Sequence, residues 1–384
     1  MRKRLFTIVA AAILVIATSG CWDHVEINAM RIVAGVGLDI SETPGFYLAT
    51  VEIINIESGQ GDDVMAEILQ GEGPTIYTAI QAAMTSVGGK MFANHCKVVI
   101  IGEGLATEGI NSIIDIVLRN IGFRKSVDII VAKGAQAADI FTGVEQESGA
   151  LSYTIGKVLH NNAESQSNTS PIGVYKLHES IISRVPVSVI PTAFIVEEEE
   201  PKVSVEGGAI FYEDRLAGFI DGDEFRLYSM ITDSVKGGYL LTFDPEISSN
   251  LIGVRIERTK ANITPHIQGS RLIAQVQVEA QAVLEGPMLV DIDIEDRQSQ
   301  DLLRQSLEKQ LSNDLYRFAS GIQEDYGLDI FGFHREFEDR FRQEWGDLSK
   351  DWGAHFSEIE MFIESSVNIT GSGLMGNFES GVRS

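Results

Sequence analysis

The chain has 384 residues, 44% apolar and 22% charged, with 30 basic side chains against 55 acidic ones and a formal net charge of −25. That length and apolar share supply cores for two or three domains of roughly 150 residues and exclude wholesale disorder. The acidity disfavours a nucleic-acid partner, whose phosphates it repels, and the only two cysteines, Cys21 and Cys96, exclude a disulfide-rich scaffold and a cysteine-based zinc cluster.

The chain opens on basic Met1-Arg2-Lys3-Arg4, an apolar run from Leu5 to Ala17 broken only by Thr7, and then Thr18-Ser19-Gly20-Cys21. This is the order of a secretory signal peptide, and the run falls short of the roughly 20 residues of a transmembrane helix. Small residues directly before a cysteine resemble the lipobox of bacterial lipoproteins, although Thr18 stands where that motif usually has Leu. The resemblance implies cleavage after Gly20 and a diacylglyceryl group on the Cys21 thiol. Losing Arg2, Lys3 and Arg4 would take the formal charge from −25 to −28. An anionic bilayer repels such a body, so attachment falls to the lipid, for which two acyl chains suffice. Cys96 is then left without an intramolecular partner, and beside Val98–Ile101 it reads as a small buried hydrophobe.

Further along, Ile32, Ala34, Val36 and Leu38 alternate, as do Tyr47, Ala49, Val51 and Ile53; the spacing predicts two strands, with Thr43-Pro44-Gly45 turning between them. Residues 57–73, rich in Gly and Asp, read as a loop with a helical turn at Val64–Leu69. Pro74-Thr75 opens a helix bearing Ile76, Ala79, Ile80, Ala83 and Met84 on one face. Val98–Ile101, Thr107–Arg119 and Val127–Val131 read as strand, helix and strand, a right-handed crossover between parallel strands. Helices at Leu151–His160 and Val174–Ile182 precede an extended Val187–Val196, which Pro186 and Pro191 place at a sheet edge. Glu197–Pro201 reads as a solvated linker. Beyond it come a hairpin around Glu213-Asp214-Arg215 and a helix at Asp223–Val235, with Asp221-Gly222-Asp223-Glu224 as its turn and N-cap. Ile252–Ile256 and Leu272–Leu284 alternate as in an antiparallel sheet covered on one side. Leu303, Leu307, Leu311, Leu315, Phe318 and Ile322 stripe one long helix, Phe333 to Trp352 suggest a second, and Ile359–Ile369 close with a strand. The expected layout is a signal peptide at 1–20, an N-terminal α/β domain at 21–196, a small middle domain at 203–245 or one that shares strands with the N-terminal block, a C-terminal α+β domain at 250–371 and a flexible tail at 372–384.

Catalytic motifs do not emerge. There is no phosphate-binding G-x-x-x-x-G-K-[ST] and no G-x-S-x-G. Gly35-Val36-Gly37 lacks a third glycine opening a helix, and Ser306-Leu307-Glu308-Lys309 lies within the long helix without companion motifs. His95-Cys96 has no second ligand pair. Asp291, Asp293 and Glu295 could face one Ca²⁺ but read as a solvated edge. The Phe/Trp stripe reads as core.

Several motifs in order carry a family resemblance: Cys21-Trp22-Asp23 with Glu26-Ile27; Gly35-Val36-Gly37-Leu38-Asp39; Gly71-Glu72-Gly73-Pro74-Thr75-Ile76; His95-Cys96-Lys97-Val98-Val99-Ile100-Ile101-Gly102-Glu103; Gly208-Ala209-Ile210-Phe211 with Leu216-Ala217-Gly218; and Asp329-Ile330-Phe331-Gly332-Phe333 with Trp345, Trp352 and Thr370-Gly371. Together they resemble the C-subunit lipoproteins of spore germinant receptors, the Ger(x)C family. His334 stands where that family often has glycine. The resemblance implies a non-enzymatic, three-domain α+β protein with mixed and antiparallel sheets packed against helices. It implies no cofactor beyond the diacylglycerol on Cys21, no catalytic or metal residues, and A- and B-type integral-membrane partners. It also implies a location on the outer face of the membrane that becomes the inner spore membrane. The alternative is a substrate-binding lipoprotein of an uptake system, which needs two similar lobes around a cleft.

Overall fold

A computed structural model describes residues 30–55, 65–85, 90–119, 122–144, 149–242, 252–285 and 297–372. The signal segment, Cys21, the Asp291–Glu295 carboxylates and the tail beyond residue 372 lie outside them. The described strands form two sheets, and the fold is α+β.

The first sheet has nine strands: β1 (Met30–Ile40), β2 (Tyr47–Asn55), β3 (Met65–Gly73), β4 (Lys90–Phe92), β5 (Val98–Gly102), β6 (Asp128–Ala132), β7 (Val187–Val196), β8 (Lys202–Tyr212) and β9 (Arg215–Ile220). They run in the order β3-β2-β1-β5-β6-β7-β8-β9, with β4 beside β1. The middle strands β1, β5, β6 and β7 pair in parallel, and antiparallel hairpins flank them. Helices cover both faces. α1 (Ile76–Thr85), α2 (Glu103–Glu108), α3 (Asn111–Arg119) and α6 (Val174–Ile181) pack against Val99, Ile101, Ile129 and Val131. α4 (Ala137–Thr142) and α5 (Leu151–Ser165) pack against Val98, Ile100, Ile130 and Ala132. A strand buried on both sides has no polar face, which is why Val98–Ile101 is apolar without alternation.

The second sheet orders β10 (Gly238–Thr242), β11 (Ile252–Gln268), β12 (Arg271–Glu285) and β13 (Glu360–Ser372) in sequence. Beneath it lie α7 (Gly222–Ile231) and the long α8 (Arg297–Asp325), then the short α9 (Phe333–Arg340), α10 (Trp345–Leu348) and α11 (Trp352–Ser357). Leu303, Leu307, Leu311 and Leu315 on α8 are buried against Ala274, Val276 and Val278 of β12 in one core, each contributing about 1.5–3 kcal/mol of burial free energy. That core extends without a break to Ile210, Ile220 and Phe225. The outer edge of β13 is partly capped by α8: Ser365 N–H donates to Ser312 Oγ (2.9 Å) and Val367 N–H to Glu308 Oε1 (3.0 Å). Satisfying edge donors in this way discourages pairing with another chain.

Several expectations are corrected. Residues 65–73 are strand β3, paired with β2 along its length, not a loop with a helical turn. Gly71 and Gly73, which added to the loop reading, lie under α1, where a Cβ on Gly71 would sit 2.1 Å from Ala83 N. The helix over 107–119 is two helices, parted at Gly109-Ile110, where Ile110 N–H donates to Asp214 O (2.9 Å). β7 is internal, and Pro191 is accommodated at a register shift against β8. Glu197–Pro201 is the turn between β7 and β8, so one sheet continues through the expected linker. The span 203–245 shares strands with the N-terminal block, the alternative reading: β8 and β9 lie in the first sheet and β10 in the second. β11 and β12 pair antiparallel as their alternation predicts, and β13 adds a parallel strand beside β12. The Phe/Trp stripe is not one helix but α9, α10 and α11 with a 3₁₀ turn at Ser349–Asp351.

Candidate functional site

Three buried carboxylates organise the molecule, and one of them builds a cleft. Asp39, at the end of β1, accepts from Ala137 N–H (2.7 Å) and Ala138 N–H (3.0 Å) and so caps α4. Burial pushes its pKa up to about 6, against the opposing pull of those two hydrogen bonds. Glu52 on β2 likewise accepts from Leu151 N–H (2.6 Å) and Ser152 N–H (2.9 Å) at the start of α5. Gly35 and Gly37 let these helix ends approach: a Cβ would meet Ser152 Oγ at 1.9 Å and Phe141 Cε2 at 2.9 Å respectively. The Gly35-Val36-Gly37-Leu38-Asp39 motif is therefore a packing and capping device.

Asp329 is the third. It follows α8, and its side chain has no solvent exposure. Oδ1 accepts from Gly332 N–H (2.9 Å) and Phe333 N–H (3.0 Å). Oδ2 accepts from His334 N–H (2.7 Å), with His334 Nδ1 and Trp352 Nε1 each 2.9 Å away. Gly332 takes φ +80°, a left-handed conformation that favours glycine, and turns the chain into α9. Ile330, Phe331 and Phe333 enter the core, where Phe331 meets Phe318 edge-on at 5.6 Å. The motif thus ties the start of α9 to α11 through one carboxylate.

This turn forms one wall of a cleft of about 420 Å³, whose other walls are α6, β7, α7 and β11. A second hollow of about 350 Å³ adjoins it and shares Lys176, Ser180, Val187, His334 and Arg335. Tyr228 of α7 lines the first, its phenol pushed up to about 12 by burial, with Arg335 pulling down and Asp329 pushing up. The Asp329–His334 pair has the orienter-and-base geometry of nucleophilic catalysis, but no hydroxyl is hydrogen-bonded to His334 among the described residues.

Of the residues singled out in the sequence, Cys21 and the Asp291, Asp293, Glu295 group lie outside the described residues. His95 and Cys96 end a 3₁₀ turn; the Cys96 thiol is buried, lies 3.3 Å from Val98 O and is pushed far up by burial. Asp221 caps α7 by accepting from Glu224 N–H (2.8 Å). Phe337, Trp345 and Trp352 are core. Among the described residues no group of three His, Cys, Asp or Glu could hold a metal ion. Sequence reasoning missed Lys176, Tyr228 and Arg335, which share no motif, and passed over His334, whose unusual position was the available signal.

Residues 23–193 match the family described as "Spore germination protein N-terminal domain", and residues 206–373 match "Spore germination B3/ GerAC like, C-terminal". The chain belongs to the Ger(x)C family of spore germination proteins. Spore germination protein KC of Bacillus subtilis (strain 168) is 20% identical over 98% of both chains. Spore germination protein B3 of the same strain is 21% identical, over 94% of this chain and 96% of its own. The crystal structure of the GerBC protein has the same fold, with a TM-score of 0.56 at 19% identity, covering 87% of this chain and 97% of that one. In this Ger(x)C chain, both the glycine–aspartate motif of β1 and the Asp329 turn are structural anchors.

Proposed function

We propose that this protein is the non-enzymatic C subunit of a nutrient germinant receptor, held by a diacylglyceryl group on Cys21 to the outer face of the spore inner membrane. There it acts with A- and B-type integral-membrane subunits to trigger germination. The observation that carries the reading is the pair of spore germination matches, the first of which begins at residue 23, two positions after the lipobox-like cysteine. The absence of any helix long and apolar enough to cross a membrane among the described residues is compatible with a lipid anchor. Among the described residues, the two sheets, of nine and four strands with different orders, do not form two similar lobes of the kind an uptake lipoprotein needs. Deleting the gene is expected to abolish the germination response to one nutrient while growth stays normal, and an unchanged response would refute the receptor role. Cys21→Ala is expected to release the protein from the membrane fraction and to impair germination; persistence of the variant in the membrane pellet would refute the anchor.

A further inference from the structure

We propose that the end of the first sheet at which β1, β5 and β6 begin faces the bilayer and binds its anionic headgroups, an orientation that rests on the lipid anchor at Cys21. The net charge of −25 conceals an uneven distribution. Arg31 on β1, Lys97 before β5, Arg124 and Lys125 before β6, and Lys157 on α5 form no ion pair among the described residues, and all but the half-buried Arg31 are exposed. Strand register brings them to one end. Lys97 N–H donates to Ala34 O (2.8 Å), Asp128 N–H to Lys97 O (3.1 Å) and Val127 N–H to Arg124 O (3.1 Å). Lys97 Nζ lies 5.8 Å from the centroid of the Tyr153 ring, and Lys157 follows Tyr153 one turn along the same face of α5.

The acids described at this end are matched. Asp115 pairs with Arg119, and Asp128, its side chain 14% exposed, lies 3.0 Å from His160 Nε2 and feels the charge of Lys97. Glu67 on β3 stands three strand spacings from β5, roughly 14 Å and beyond the screening length of about 10 Å. Glu57, Asp62 and Asp63 lie outside the described residues. Where β1, β5 and β6 finish, the sign reverses: Glu42, Glu72, Glu103 and Asp139 gather there against Lys133.

Reach decides which surface meets the basic end. Cys21 stands nine positions before Met30, so a fully extended tether spans about 30 Å. β1 itself rises about 33 Å from Met30 to Ile40. The tether therefore keeps the bilayer near the start of β1 and carries the acidic end away from it, past several screening lengths. It also favours lipid over an acidic protein as the occupant, because it holds headgroups within reach of this end at all times. Bases near an anionic surface are drawn to it, and that attraction fades within a screening length. The lipid holds the acidic body, and the uneven charge orients it.

The test uses the full lipidated chain reconstituted into vesicles of phosphatidylcholine alone or mixed with phosphatidylglycerol. An impermeant acetylating reagent labels exposed lysines, and peptide mass spectrometry reads the rates. Lys97, Lys125 and Lys157 are expected to react about threefold or more slowly in the anionic vesicles than in the neutral ones. Lys202 and Lys350, exposed elsewhere on the surface, are expected to react equally in both. High salt is expected to remove the difference, and Arg124→Gln with Lys125→Gln to relieve most of the protection at Lys97. Equal rates at Lys97, Lys125 and Lys157 in the two vesicles would overturn the proposal and leave an acidic protein as the partner of these bases. Equal protection of Lys202 and Lys350 would overturn it as well. Recovery of the chain from the soluble fraction would overturn the anchor, and the orientation with it.

Discussion

Asp329 shows how much one side chain can decide. A carboxylate withdrawn wholly from water is tolerated only when its lone pairs are filled; here five donors converge on it from Gly332, Phe333, His334 and Trp352. Asp329→Asn would turn one acceptor into a donor facing donors. The expected loss is about 3 kcal/mol or more of unfolding free energy, seen as a lower urea midpoint at unchanged slope; a midpoint equal to the parent's would contradict the hub. The acid was visible in the sequence as part of a motif. Its role was not, because Trp352 lies 23 positions away and nothing local says that its indole returns to Asp329.

At the scale of elements, periodicity located what depends on one face. The stripe from Leu303 to Ile322 is one helix, and Leu272–Leu284 is one strand with its alternate residues buried. Periodicity failed where a second partner intervenes: β3 looked like a loop because its glycines make room for α1, and the aromatic run past Phe333 breaks into short helices that wrap one cluster of rings. The end of α4 carries a pH-dependent consequence. Burial raises the Asp39 carboxyl to about 6 from its ordinary 3.8. Between those values the folded chain keeps a proton that the unfolded chain releases. Asp39's contribution is therefore full below about pH 4 and is lost as pH rises through 6, a change of about 3 kcal/mol. The stability difference between the parent and Asp39→Asn is expected to shrink by that order from pH 4 to pH 7 in chemical denaturation series. A difference that grows with pH would reverse the assignment.

At the scale of the molecule, the two halves recognised by their family matches are not separable in the fold. Strands β8 and β9 complete the first sheet: Ala209 and Phe211 pack on one of its faces, and Ile210 joins the core of the second sheet. A chain ending at Val196 would strip the β7 edge of its partner and expose both faces beside it. It is expected to be insoluble or to melt without cooperativity; a soluble fragment with a sharp thermal transition would show that the first sheet stands alone. The same interlocking makes the cleft, since its walls come from α6, β7, α7, β11 and the Asp329 turn, contributed by distant parts of the chain.

Local alternation and helical stripes, the helix start at Pro74-Thr75, the cap at Asp221 and, through motifs kept in order, the family were all legible from residues alone. Each of these is written in neighbours a few positions apart, where side-chain type and backbone preference act directly. That the acidic run is a hairpin turn, that β13 runs parallel to β12, and that α6, β7, α7 and the Asp329 turn border connected hollows emerges only in the folded chain. Those facts depend on which faces meet after collapse. The free energy of that meeting is shared among residues far apart in the chain, and no local pattern records it.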